Sequence, residues 1–121
     1  MEYMLMVFSD PQGWAQLTPA QAAEGLAAYG AYHEALQKAG VLKLSNRLRP
    51  GNTATTVRLK SGKTQVLDGP FIETREQLGG YFLVDAPNLD DAIGIAGKIP
   101  GARKGTVEIR PVMELSGLPQ K

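Results

Sequence analysis

The stretch DGPFIETREQLGGY, residues 68–81, decides how the chain divides. Asp68, Gly69 and Pro70 stop a strand-like run with turn residues, and Gly79-Gly80 lead into the apolar run YFLV. Gly69 is placed for a positive φ, and Pro70 fixes the exit direction. Asp68 reads as a turn residue whose carboxylate accepts from the backbone two residues on, with Phe71 anchoring the corner in the core. Thr74 and Gln77 stand at capping-box spacing, which predicts one helical turn over 74–78. Glu73, Arg75 and Glu76 add more charge than a joint requires. Arg75 is the only base between Asp68 and Asp91, so it is expected to pair with Glu73, Glu76 or Asp68.

Upstream of the corner, residues 53–59 are rich in β-branched side chains, and Ser61-Gly62 closes a hairpin onto 64–67. RPGN (49–52) is a turn, and VLKLSNRL (41–48) is a strand. MEYMLMVF (1–8) is apolar on both alternating faces, which predicts a central strand. SDPQGW (9–14) reads as a turn. A helix then starts with Thr18 as N-cap and Pro19 at the first position, Thr18 and Gln21 forming a capping box. It runs to Lys38 with Ala22, Leu26, Tyr29, His33 and Leu36 at helical spacing, and Gly40 closes it.

Downstream, Gly80 to Val84 is a strand, and Asn88 caps a helix that reaches Lys98 with Asp90 and Asp91 in its first turn. PGARKG (100–105) is a loop, TVEIRPVM (106–113) is the last strand, and residues 114–121 read as a loose tail. The order is strand, helix, strand, hairpin, strand, helix, strand. That is a split βαβ unit used twice, an α+β fold of the ferredoxin-like kind with an inserted β-hairpin. At 121 residues it forms one domain. Both helices must cover one sheet face, so the second apolar face of the first strand predicts a partner copy and hence a homodimer.

Composition narrows the chemistry. The 121 residues contain no cysteine, which excludes disulfides, thiolate catalysis and zinc–thiolate sites and fits a cytoplasmic protein. A single histidine excludes multi-histidine metal centres. The start lacks the basic region of a signal peptide, and no apolar run reaches the roughly 20 residues a membrane helix needs. The net charge of +1 argues against general nucleic-acid binding. Its distribution is uneven, however. Residues 35–67 hold seven bases and no acid, whereas 68–91 hold six acids and Arg75 alone. The glycine-rich and nucleophile-elbow patterns of nucleotide, flavin, nicotinamide and serine-hydrolase sites are absent, so no cofactor is expected.

TATTVR (53–58), DGPFIETREQLGGYFLVD (68–85), LDDAIGIAGKIP (89–100) and GTVEIRPV (105–112) resemble, in that order, the DGPF-motif branch of the YCII-related family. The likeness runs from YMLMVF (3–8) to Val112. It implies a ferredoxin-like, dimeric α+β barrel. It also implies two kinds of role, since some relatives look like small enzymes while others have genes beside extracytoplasmic-function sigma factors. Shorter members of the family are thought to carry a His–Asp pair, whose positions fall near Tyr29 and Lys43 here. That dyad therefore does not carry over.

The candidate site residues follow from the residue types. His33 is a candidate general base, set against a boundary histidine with one hydrogen-bond partner. Asp68 is a second candidate base, set against a plain turn residue. Arg75 and Arg58 are candidate holders of an anion, since the guanidinium fork matches carboxylate and phosphate geometry. Glu73 stands beside Arg75, and Tyr29 and Tyr32 flank His33, where they could orient a ligand or simply fill the core. Two functions compete: a small-anion site near the DGPF corner with acid–base chemistry, and a non-enzymatic regulatory module linked to a sigma factor.

Overall fold

Strand β1 (Glu2–Ser9) turns Tyr3, Leu5 and Val7 to one side, all buried, and Met4, Met6 and Phe8 to the other, half-buried. A strand apolar on both faces belongs inside a sheet. In the computed structural model, which describes residues 1–114, β1 is hydrogen-bonded along both edges. It runs antiparallel to β5 (Gln77–Asp85) on one side and to β6 (Thr106–Pro111) on the other. β2 (Leu42–Arg47) pairs with the outer edge of β5, giving the order β2-β5-β1-β6.

Helix α2 (Pro19–Lys38) begins as its sequence requires: Thr18 Oγ1 accepts from the Gln21 N–H while the Gln21 side chain accepts from the Thr18 N–H. Gly40, past its end, takes φ +74°. Asn88 caps α3 (Leu89–Gly97) by accepting from the Asp91 N–H. Both helices pack on the Leu5 face of the sheet. α2 buries Tyr32 and Leu36 there and α3 buries Ala92 and Ala96, with Phe82, Val84 and Ile99 completing the core. The result is a mixed α+β fold. Among the described residues no helix is long and apolar enough to cross a membrane.

The hairpin of β3 (Thr55–Lys60) and β4 (Lys63–Asp68) stands apart as its own two-stranded sheet. Ser61 and Gly62 both take positive φ, the geometry that matches a two-residue turn to strand twist. Val57, Leu59, Val66 and Leu67 are all exposed on it. The hairpin closes where the Gly69 N–H donates to the Ala54 carbonyl (2.8 Å) and Thr56 Oγ1 donates to the Gly69 carbonyl (2.7 Å).

Several local expectations change. SDPQGW is more than a turn: Asp10 accepts from the Gln12 N–H, Pro11 opens the helix, and Pro11–Ala15 form the short α1. Residues 74–78 form no helical turn, because Gln77 and Leu78 pair with Ser9 and Phe8 and extend β5 backwards. The Asp68 carboxylate cannot cap two residues on, since Pro70 has no N–H, and the corner is held by the two Gly69 bonds instead. Gly69 itself takes φ +98°, as its place in the corner demands. Phe71 is 66 % exposed rather than in the core. The RPGN and PGARKG loops each contain a 3₁₀ turn, at Gly51–Thr53 and Pro100–Arg103. On α2, Leu26 is exposed and Tyr32 takes the core position its place in the pattern did not claim. The tail expected to be loose lies outside the described residues apart from Glu114.

Two truncations separate core from arm. Ile99→Ala should lower unfolding free energy by about 2–5 kcal/mol, as removal of a fully buried aliphatic side chain does. Leu59→Ala, on the exposed hairpin, should stay within about 0.5 kcal/mol. Urea unfolding checks both, and equal losses would contradict this placement of the core.

Candidate functional site

The β1–β5 ladder carries an irregularity: Val7 faces Gly80 and Phe8 faces Leu78, so Gly79 is the extra residue of a bulge. Bulges bend a strand and re-aim its neighbours. A cavity of about 520 Å³ opens at this point, between the sheet and α2. Gly80 lies on its floor. A Cβ at Gly80 would stand 2.9 Å from the Asn46 carbonyl oxygen, so only glycine lets β2 and β5 approach this closely.

Three elements build the walls. α2 supplies Leu26, Tyr29 and His33, β2 supplies Ser45 and Arg47, and α1 supplies Trp14. Leu48 and Arg49 follow β2 along the rim, where the Leu48 N–H donates to the Gly79 carbonyl (2.8 Å). The Arg47 guanidinium sits 4.8 Å from the centroid of the Trp14 ring, a cation–π contact. Among the described residues that line the cavity, none is acidic. Two arginines therefore line the cavity without a carboxylate to neutralise them, and His33 shares that lining. Half-burial pushes the Tyr29 hydroxyl above its ordinary pKa, and the Gly101 backbone and the Arg47 charge oppose that only in part. Tyr29 thus stays a neutral hydrogen-bonding group at physiological pH. A Cβ at Gly101 would collide with its hydroxyl, so that glycine fixes where the phenol ends.

Residues 1–116 match the family model of the YCII-related domain. The chain belongs to the YCII-related family. An uncharacterised protein of Rhizobium meliloti (strain 1021) is 43% identical to it over 77 residues, a match that covers 62% of this chain and 62% of that protein. The alignment thus spans less than two thirds of the relative's length.

In this YCII-related chain the candidate residues divide. His33 and Tyr29 line the cavity. Tyr32 belongs to the core beneath it: its hydroxyl donates to the Ile95 carbonyl (2.8 Å), its ring meets Phe82 edge-on at 5.2 Å, and burial raises its pKa. Arg58 lies on the hairpin with its guanidinium 4.7 Å from the centroid of the Phe71 ring. Asp68 is exposed at the end of β4, and Glu73 is exposed beyond the corner. Arg75 pairs across the chain with Asp10 (3.2 Å) rather than with Glu73, Glu76 or Asp68, and both line a separate cleft beside α1. Glu76 instead accepts from Thr106 Oγ1 (2.7 Å) and ties the corner to β6. Trp14, Arg47 and Arg49 are among the cavity residues that sequence reasoning did not single out. The acid-free run 35–67 contained the signal for the two arginines; nothing in the spacing placed Trp14 beside them.

The Asp10 carboxyl is held below its usual range, first by the Gln12 N–H and then by Arg75. A depressed folded-state pKa contributes stability above the ordinary carboxylate range and loses it as pH falls through the folded value. Arg75→Ala should raise the Asp10 midpoint in a carboxyl NMR titration while leaving it below that of a free carboxylate, because the Gln12 bond remains. An unchanged midpoint would show that the ion pair does not form in solution.

Proposed function

We propose that the cavity beside α2 binds a small anionic molecule. The observation that carries this reading is the meeting of Arg47, Arg49 and His33 on walls that hold no acid among the described residues. An anion there replaces a missing counter-charge, and the partly enclosed setting screens the attraction less than open water does. If the site also performs chemistry, it is acid–base chemistry without a cofactor, with His33 as base and the neutral Tyr29 as a hydrogen-bond donor. The helix position where shorter family members are thought to carry their histidine falls near Tyr29, which adds support for a site at this place.

The finer reading of the fold follows the same lines. The order β2-β5-β1-β6, with α2 and α3 on one face, supports a ferredoxin-like arrangement. The corner at 68–71 supports placement in the DGPF-motif branch. Pro70 and Gln77 close over Gly51, so the corner backs the loop that rims the cavity. Met4, Met6 and Leu83, half-buried on the sheet face away from the helices, support a homodimer joined through that face, as in a dimeric α+β barrel.

The exposed apolar side chains on the hairpin and at the corner after it, Val57, Leu59, Val66, Phe71 and Ile72, favour a second reading. In it the chain is a regulatory interaction module, with an extracytoplasmic-function sigma factor as the partner that the family resemblance points to.

A thermal-shift screen with small carboxylates and phosphates tests the first reading. A ligand at 100 times its dissociation constant should add about 2.7 kcal/mol to stability. The shift should vanish in Arg49→Gln. If no compound moves the transition, and a sigma factor is retained on the immobilised chain, the second reading replaces it. Light scattering at micromolar concentration should give twice the 13.0 kDa chain mass, and a monomer would sink the dimer proposal.

A further inference from the structure

The small-anion reading leaves most of the cavity wall unused. Polar side chains such as His33, Ser45 and Gln77 share the lining with Arg47 and Arg49, but much of the remaining surface is the side chains of Val7, Leu26, Leu48 and Phe82 and the rings of Trp14 and Tyr29. A compact, fully hydrated ion such as phosphate touches the arginines and leaves these walls wet. The cavity volume of about 520 Å³ lies in the range of sites that hold whole organic molecules, roughly 300–1,000 Å³. We propose that the ligand is a carboxylate on a ring-sized apolar body, an inference that rests on the small-anion reading and names its chemical class.

Three features carry it. The first is one-sided charge. Arg47 and Arg49 are near neighbours on β2 and its extension, and among the described residues no carboxylate pairs with either. A ligand with one anionic end satisfies them, whereas a second negative charge farther along the cavity would find no further arginine or lysine on its walls. The second is the seating of Arg47 on the Trp14 face. A guanidinium held on a ring is already oriented, and its planar fork suits the two oxygens of a carboxylate. The third is the floor. Gly79, the extra residue of the bulge, presents backbone without a side chain, and a flat ring can approach such a surface closely. Tyr29, kept neutral by its half-burial, adds a hydrogen-bonding group at the wall without repelling the anion.

Isothermal titration calorimetry of the wild-type chain with 2-naphthoate, its neutral analogue 2-naphthamide, acetate and inorganic phosphate tests the class. Trp14 is the only tryptophan, so its fluorescence provides a second view of acetate and phosphate, which do not absorb where it does. The expected result is binding of 2-naphthoate, with 2-naphthamide at least about tenfold weaker, as loss of a charge-assisted hydrogen-bonded pair implies. Arg47→Gln and Arg49→Gln should each weaken 2-naphthoate by a similar factor and leave 2-naphthamide unchanged. Leu26→Ser should weaken 2-naphthoate without touching acetate. Circular dichroism of each variant separates lost binding from lost folding, and Arg49, with no stacking partner to lose, provides the cleaner of the two arginine tests. Equal affinity for acid and amide would overturn the proposal. Binding of phosphate or acetate with 2-naphthoate silent would overturn the class and leave the small-anion reading standing. Silence from all four would overturn both.

Discussion

Backbone pairing along both edges of β1 places every other part of the sheet. Its register with β5 runs from Glu2 opposite Asp85 to Ser9 opposite Gln77, and its register with β6 runs from Tyr3 opposite Pro111 to Phe8 opposite Thr106. Leu5, at the middle of both ladders, has no exposed surface. A one-residue slip would turn Tyr3, Leu5 and Val7 away from the helices, so the core pattern and the pairing enforce each other. The single lapse in that regularity is the extra residue Gly79, and the cavity forms beside it. Fold and site therefore share one cause: the strand that organises the core is also the strand whose ladder gives way to make room.

The basic run 35–67 serves two places in the folded chain. Arg47 and Arg49 end up on a concave, partly enclosed wall, where charge acts over short distances with little screening. Arg58, Lys60 and Lys63 end up on the exposed hairpin, where water and salt weaken them and where charge guards unpaired strand edges. Neighbours in sequence thus acquire different electrostatic weight because a turn at 49–52 sends one group to the sheet and the other away from it.

Much of the architecture was legible from the residues. The order of elements, the Thr18 capping box, the glycine geometry at Gly40 and Gly69, and the turn at Ser61-Gly62 all express local preferences that packing then agrees with. The misreadings occurred where a long-range partner outweighed a local signal. Thr74 and Gln77 had helix-start spacing, but Gln77 and Leu78 found β1 and became strand. Asp10 and Pro11 are turn-forming residue types, though together they are also a helix N-cap and first position. Of the candidate site, His33 and Tyr29 were legible because helical spacing puts them on one side of α2. Arg47 and Trp14 were not, because their meeting requires α1 and β2 to converge in space across 33 positions of sequence. The charge clustered at the DGPF corner in sequence disperses in the folded chain, with Arg75 going to Asp10 and Glu76 to Thr106.

The hairpin leaves and rejoins the chain at nearly one point, since Ala54 and Gly69 are joined by a hydrogen bond. No residue between them belongs to the buried cluster, and neither of its strands pairs with the main sheet. The core consequently exerts almost no control over its length or composition. Inheritance can lengthen, shorten or rewrite this excursion while the four-stranded sheet stays as it is, so descendants of one fold can differ in their reach without renegotiating their foundations.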